Sequence, residues 1–224
     1  MELSGLAIKT VVSSLFDQNA YVVAAEGSSE CLIIDPGFDF QKAIDQIVES
    51  KWQPVAILNT HGHSDHIAGN EPLKRLWPEI PLFIGEKDAH KLTDPQLNLS
   101  AQFGLNLISP PADKTLKEGE TVDFGGISLK IFETPGHSPG HIIFVWEGPQ
   151  KTAIFGGDVL FHRSIGRTDF ADGNHQDLLD SIRNKLFCYP DETVVFSGHG
   201  PTTTIGDEKK YNPFVGLSNE NPYC

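Results

Sequence analysis

The chain has 224 residues, of which 17 are basic and 30 acidic, so its formal net charge at neutral pH is −13. This length predicts a single domain that buries about 70% of its unfolded surface, so folding requires neither a disulfide nor a structural metal. The acidity argues against a nucleic-acid partner, because binding phosphates requires a basic face.

The cysteine pattern and the hydropathy predict the compartment. Cys31, Cys188 and Cys224 include no close-spaced pair, which is typical of a reducing environment. The N-terminal segment lacks the basic start and the continuous apolar core of a secretory signal. Apolar runs are far shorter than the ~20 residues that span a bilayer. We therefore expect a cytoplasmic protein that has no membrane partner.

The N-terminal half predicts four strands and two helices. In the first helix, Phe40, Ile44, Ile47 and Val48 fall on one face. A second helix is expected from Ser64 to about Leu76, ahead of Pro78. Apolar runs bounded by turn residues predict strands at Leu6–Val12, Ala20–Ala25, Cys31–Ile34 and Pro54–Leu58.

The chain after this second helix predicts further strands and one helix around Gln176–Leu186. The section from Thr93 to Lys117 is rich in loop residues, and long loops are often functional. Because strands and helices do not alternate strictly, two packed sheets covered by helices are favoured over a doubly wound sheet. Strands are expected at Leu82–Ile84, Ile127–Glu133, His141–Val145, Thr152–Phe155 and Thr193–Phe196.

The densest group among the nine histidines is His61-Gly62-His63-Ser64-Asp65-His66. Residues two apart in an extended segment point the same way, so His61 and His63 can bind one ion. If the chain becomes helical near Ser64, Asp65 and His66 project in new directions and can reach a second ion. Imidazole and carboxylate together suit zinc, iron or manganese.

Further candidate ligands stand at the ends of predicted strands. His137 lies in a tight turn between two strands, Asp158 follows Gly156-Gly157, and His199 follows Ser197-Gly198. Each alone is more often an ordinary turn residue than a ligand. Their arrival from separated parts of the chain predicts a site for two metal ions.

The motifs THGHSDH, TPGHSPGH, GGDVLF and SGHGP, in this order, resemble those of the metallo-β-lactamase fold superfamily. They resemble more closely the glyoxalase II group, the hydroxyacylglutathione hydrolases, in its small single-domain bacterial form. The resemblance implies an α/β fold, an αβ/βα sandwich of two sheets covered by helices. It implies one such domain over residues 1–224, without the C-terminal helical domain that completes glutathione binding in longer enzymes.

The resemblance also implies a role for each candidate ligand. His61, His63 and His137 match the ligands of a first metal, Asp65, His66 and His199 match those of a second, and Asp158 matches the bridging carboxylate. His141 matches no ligand position and is expected to be structural. The two divalent ions are expected to be zinc, with iron and manganese as alternatives.

The expected reaction is hydrolysis of S-D-lactoylglutathione to D-lactate and glutathione by a metal-bound hydroxide. Asp65 is expected to be catalytic, orienting the water and accepting its proton. A thioester suits such a site because a thiolate leaves easily, a free thiol having a pKa near 8.5. An amide needs a general acid, so thioesters are favoured over lactams.

Substrate contacts are expected from Phe161, Arg167 and Lys210. Arg167 matches the basic residue of a Gly-Lys pair that binds glutathione in two-domain glyoxalase II enzymes. Asp169 stands where those enzymes have a tyrosine, so Arg167 either binds a substrate carboxylate or pairs with Asp169. Lys210 is a candidate for binding an anionic substrate. A weak grip on glutathione, and hence a high KM, is expected.

Four other functions remain open. A persulfide dioxygenase uses one iron held by two histidines and an aspartate, and the stretch Gly166–Phe170 is similar to that family as well. Lactonases and nucleases share the fold, although the −13 charge disfavours a nuclease. A non-catalytic metal-binding module is disfavoured because no ligand position is missing.

Overall fold

Strands from both halves of the chain form two six-stranded sheets within residues 3–216, the part that this computed structural model describes. The first sheet is antiparallel across β1–β3 and parallel from β3 to β6. Its strands, in spatial as well as chain order, are β1 (Leu6–Val12), β2 (Asn19–Ala25), β3 (Glu30–Ile34), β4 (Gln53–Asn59), β5 (Leu82–Gly85) and β6 (Lys114–Leu116).

The second sheet comes from the C-terminal half and has the order β14-β13-β10-β9-β8-β7. Only its β10–β13 pair is parallel among these described strands. The strands of this half are β7 (Thr121–Phe124), β8 (Ile127–Glu133), β9 (Ile142–Glu147), β10 (Thr152–Gly157), β11 (Leu160–Phe161), β12 (Ser164–Ile165), β13 (Val194–Ser197) and β14 (Thr203–Thr204), with β11 and β12 forming a separate hairpin.

Helices cover the outer face of each sheet. Because successive strand residues point to opposite faces, Tyr21 and Val23 pack between the sheets while Val22 faces the helices. The first sheet packs against the helices of its own half, and the second against helices near the C-terminus. The α-helices are α1 (Phe40–Ser50), α2 (Ser64–Ile67), α3 (Asn70–Leu76), α4 (His175–Ser181) and α5 (Ile205–Tyr211). The expectation of an αβ/βα sandwich is confirmed.

The sequence predicts one helix after Ser64, but the structure has two, separated at Gly69. The amide nitrogen of Gly69 donates to the carbonyl of Pro36 at 2.7 Å. A Cβ at Gly69 would lie 2.8 Å from carbons of Pro36 and Phe40. The close approach of the β3–α1 connection therefore interrupts the helix and requires glycine there.

The section from Thr93 to Lys117 is more ordered than predicted. It contains the 3-10 turn Ser100–Phe103 and ends in β6, and another 3-10 segment, Glu86–Thr93, precedes it. Val48 also differs from the prediction, because its side chain is 66% exposed. Ala43 and Ile47, four residues apart, face the sheet instead, which turns Val48 outward. In residues 3–216, no helix has the length and apolar character needed to cross a membrane.

A buried carboxylate anchors α5 to the β11–β12 hairpin. Glu208 is fully buried and pairs with the Arg163 guanidinium, Nη1 to Oε1, at 2.9 Å. It also accepts hydrogen bonds from the backbone nitrogen of Arg163, from Thr203 Oγ1 and from Asn212 Nδ2. Asn212 in turn donates to the carbonyl of Ser164. One side chain thus ties the C-terminal helix to the β11–β12 hairpin.

We predict that Glu208→Ala lowers the free energy of unfolding by about 3 kcal/mol, because it leaves several buried donors and a partly buried guanidinium unpaired. Urea unfolding measures this difference. Asp207→Ala, an exposed change in the same helix, should stay within about 0.5 kcal/mol of the wild type. Equal stabilities for the two variants would contradict the anchoring role of Glu208.

Candidate metal centre

The ends of separate strands deliver the predicted ligands to one edge of the sandwich. His61 follows β4, His137 lies between β8 and β9, Asp158 follows β10, and His199 follows β13. Gly198 permits the last of these approaches, since a Cβ there would lie 2.2 Å from Asp158 Oδ1 and 2.8 Å from His66 Cε1.

The structure brings all seven predicted metal ligands together. Their potential ligand atoms form overlapping groups in which all atoms lie within 4.8 Å of one another. Asp158 is central, because its Oδ2 lies 3.5 Å from Nε2 of both His137 and His199. The groups are His61 with His63 and His137, Asp65 with His66 and His199, and Asp158 with His61 and His66.

A second set of groups orients the imidazole rings. Asp35 Oδ2 contacts His66 Nδ1 at 3.0 Å and accepts a hydrogen bond from Thr60 Oγ1, which lies 3.1 Å from His61 Nδ1. His137 Nδ1 donates to the Arg167 carbonyl. Contacts at Nδ1 leave Nε2 directed at the centre, the arrangement that positions histidine ligands in metal sites.

Two further contacts of this kind complete the positioning. His199 Nδ1 donates to the carbonyl of Phe16 at 3.0 Å. His141 holds Asp158 rather than joining the ligand groups, because its Nε2 accepts from the Asp158 amide at 3.0 Å. Its Nδ1 contacts Thr134 Oγ1 at 2.8 Å. The structure therefore places His141 beside the site in a structural contact.

Asp88 links the two loops that carry His61, His63 and His137. Its side chain is fully buried, and its Oδ2 accepts from the amide of Gly62 and the hydroxyl of Ser138. Its Oδ1 accepts from the amide of Gly140. Nearby Lys91, also buried, places Nζ 2.7 Å from Asp172 Oδ2. Asp88 thus connects the two ligand loops directly to each other.

The electrostatics of the cluster favour a cation. Burial lowers the pKa of His61 and His63 well below the usual range, so both rings are neutral and have a free lone pair. Burial opposes protonation of His66, but the carboxylates of Asp158, Asp65 and Asp35 hold its pKa well above the usual range. The carboxylates of Asp65 and Asp158 thus converge on neighbouring imidazole nitrogens at this edge of the sandwich.

The donor set fits divalent metal ions. Nε2 of His61 is buried and finds no hydrogen-bond partner among the described residues, and the buried Nε2 of His66 faces Asp158 Oδ1 at 3.3 Å. A buried polar atom without a partner is costly, and an imidazole nitrogen facing carboxylates is a common ligand of zinc and iron. Metal binding accounts for both observations.

Comparison with known proteins identifies the family of this chain. The family model of the Metallo-beta-lactamase superfamily matches residues 14–199. This chain belongs to that superfamily. The "Probable metallo-hydrolase YqgX" of Bacillus subtilis is 37% identical over 88% of this chain and 92% of that protein. The "Hydroxyacylglutathione hydrolase GloC" of Haemophilus influenzae is 37% identical over 93% and 97% of the two chains.

Solved structures of the superfamily share the fold. The BLEG-1 B3 metallo-beta-lactamase has a TM-score of 0.88 and 39% identity, over 93% of this chain and 99% of that one. TTHA1623 in a di-iron-bound form has a TM-score of 0.77 and 34% identity, over 92% and 99%. With its metal-ligating cluster, this member of the metallo-β-lactamase superfamily is a metal-dependent hydrolase.

A cavity of about 470 Å³ opens beside the ligand cluster. Phe161 and Arg167 line it, whereas Lys210 is not among its lining residues and places Nζ over the ring of Tyr211. The Arg167 guanidinium makes two 2.9 Å hydrogen bonds to Asp169 and stacks on Phe170. Of the two roles that the sequence leaves open for Arg167, the structure therefore shows the pairing with Asp169.

The sequence-based reasoning missed Asp35 and Asp88 as functional residues. Asp35 carried a usable signal, because it follows a buried strand as Asp158 does. Asp88 lies in the polar segment Glu86–Thr93, which is typical of a solvated surface. Its partners are 26 to 52 residues away in sequence, so no local pattern identifies it.

We predict that Asp88→Asn weakens metal binding about tenfold or more. In the wild type both carboxylate oxygens accept hydrogen bonds, whereas in the variant the side-chain amide nitrogen must face one of the same donors and cannot accept from it. A chelator competition titration with zinc measures the dissociation constant. The matched control is Glu86→Gln, an exposed residue that pairs with Lys117. Unchanged affinity in Asp88→Asn would show that this residue does not position the ligands.

Proposed function

We propose that this hydrolase cleaves glutathione thioesters, S-D-lactoylglutathione among them, using two zinc ions. The observation that carries the proposal is the 37% identity to the hydroxyacylglutathione hydrolase GloC over nearly the full length of both chains. The clustered His and Asp residues supply enough nitrogen and oxygen donors for two divalent ions, which supports the proposal.

The residues that would hold the ions fall into two sets. His61, His63 and His137 form the first, and Asp65, His66 and His199 form the second. Asp158 contacts members of both sets and is the bridging candidate. When bound, divalent ions lower the pKa of a water from about 15.7 toward about 7 and polarise a carbonyl oxygen.

We infer that Asp65 guides the attacking water. Its carboxylate lines the cavity, and its Oδ2 lies 3.3 Å from His199 Nε2. In the reaction the water oxygen bonds to the carbonyl carbon, the carbon–sulfur bond breaks, and its electron pair leaves on sulfur. Asp65 accepts a proton from the water, and one proton ends on the departing thiolate.

The cavity suits a leaving group that needs no acid. Outside the predicted ligands its polar lining residues are Ser64, Gln102 and Arg167, within the described chain. None is a proton donor matched to an amine, whereas a thiolate leaves without one. This difference favours thioesters over lactams despite the similarity to a B3 metallo-beta-lactamase.

We expect a weak grip on glutathione and therefore a high KM. Glutathione carries two carboxylates and an ammonium group, and Arg167 is the cation that lines the cavity in the described chain. Its guanidinium is already paired with Asp169. A substrate carboxylate must compete with that pair, which reduces the net gain from binding.

The test is thiol release from S-D-lactoylglutathione by the metal-loaded protein. We expect turnover that a chelator abolishes and zinc restores. Asp158→Ala should lower metal content and activity together, because it removes the carboxylate that both ligand sets share. The exposed Asp123→Ala is the control and should keep both. Full metal content with normal turnover in Asp158→Ala would refute the bridging role.

Two parallel assays separate the other functions. A chromogenic cephalosporin tests the lactamase chemistry that the BLEG-1 similarity raises. Oxygen consumption with glutathione persulfide tests a dioxygenase. This assay is included because the similar TTHA1623 chain holds iron, the metal that such a dioxygenase uses. Turnover in either assay, with no thiol released from the thioester, would replace the proposal.

A further inference from the structure

The cavity has two ends, which differ in the ligand residues that they adjoin. At one end the Phe170 ring lies 5.0 Å from the ring of His63 and 5.4 Å from that of His137, and Arg167 stacks on it. At the other end the Phe16 carbonyl contacts His199, the second ligand set. A substrate whose reacting carbon lies over both sets extends one arm toward each end.

The second end, which we call the aromatic end, is formed by Phe16, Leu99 and Phe103. The rings of Phe16 and Phe103 meet edge to face at 5.0 Å, and Phe38 supports Phe16 from 5.8 Å. Phe103 remains 56% exposed although it lines the cavity. Apolar surface of this kind gains free energy when a ligand removes it from water.

Two of these residues have a backbone conformation that side chains rarely adopt. Phe16 has φ = 97° and Leu99 has φ = 68°, both in the left-handed region that favours glycine. Such outliers cluster at ligand sites, where the surrounding structure holds them in place. Here they direct two large apolar side chains at the cavity.

Charge also distinguishes the ends. Arg167 and its partner Asp169 lie at the Phe170 end. The Phe16–Leu99–Phe103 surface is itself apolar, and Gln102 lies next to Phe103 in the described lining; the charged groups that line the cavity beside it are the predicted ligands Asp65 and His199. A charged thiol arm such as glutathione therefore suits the Arg167 end, and the acyl arm is left for the aromatic end.

We propose that the aromatic end is the acyl pocket, and that it selects thioesters of apolar, preferably aromatic, carboxylic acids over those of short hydroxy acids. The inference rests on the proposed thioester hydrolysis and names its substrate class. Water still adds to the carbonyl carbon and the thiol still leaves. The products are an arylalkanoic or branched carboxylate and the free thiol.

The first test compares S-phenylacetylglutathione with S-acetylglutathione, which share the thiol and differ by one phenyl ring. We expect kcat/KM to be about tenfold higher for the phenylacetyl thioester, because the ring is buried against Phe16 and Phe103. In Phe103→Ala this ratio should fall to near one. Ile108→Ala, an equally exposed apolar change outside the cavity lining, should keep the wild-type ratio.

The second test measures binding without turnover. Calorimetry compares S-phenethylglutathione with S-ethylglutathione, thioethers that the enzyme cannot hydrolyse. The phenethyl compound should bind about tenfold more tightly to the wild type, and Phe103→Ala should remove the difference. Metal content and thermal unfolding of Phe103→Ala are checked first. Leu99→Gly, which relieves the left-handed strain, provides a second variant with the same expected loss of preference.

The outcomes separate the two proposals. Thiol release from both thioesters with equal kcat/KM, and equal binding of both thioethers, would overturn the acyl pocket and leave the hydrolase. A loss in Phe103→Ala that is equal for both acyl groups would place the thiol arm on this surface and would likewise overturn it. No thiol release from any thioester by metal-loaded protein would overturn the proposed function itself.

Discussion

Carboxylates and imidazoles are buried together at one edge of the sandwich. The rest of the structure must hold these groups close enough that each buried charge has a partner. Asp158 is nearly buried, and burial alone would raise its pKa, yet His199 and His66 hold that pKa well below its usual range. Removing either charge type would leave the other desolvated without a partner, which is costly. The cluster is therefore stable only as a unit. Its members come from four strand ends, so both sheets must keep their registers for the site to exist.

Two kinds of residue meet this constraint. The predicted ligands point into the cluster, and a separate set of buried carboxylates positions the ligands and their loops. Asp35 and Asp88 are as deeply buried as the ligand histidines, but their oxygens are taken by backbone amides, hydroxyls and a ring nitrogen. These fully satisfied carboxylates stiffen the loops and leave the Nε2 atoms of His61 and His66 to the centre. The same logic extends to Glu208, which fixes the hairpin that follows Asp158.

Local sequence patterns predict the sandwich and the ligand cluster because short segments of the chain determine both. Strand periodicity locates the strands of the sheets, and motifs at strand ends, such as His61–His66, place their ligands at the edge where those strands end. Features set by contacts between distant segments escaped prediction. The helix break at Gly69 depends on Pro36 and Phe40, and the role of Asp88 depends on Gly62, Ser138 and Gly140. The side chain of Arg167 had two plausible partners, and only the fold shows it bound to Asp169.

The same division explains why the ligand motifs identify the chemistry more closely than the substrate. Metal ligands must satisfy one geometry, so their residue types and spacing are restricted. The apolar lining has no such restriction, because any large side chain at the right place removes water from a substrate arm. Phe16 lies in the β1–β2 connection, and Leu99 and Phe103 lie in the section from Thr93 to Lys117, whose structure the sequence does not predict. The apolar lining of the proposed acyl pocket therefore comes from loops, which can vary in sequence while the sandwich and the ligand residues at its edge stay the same.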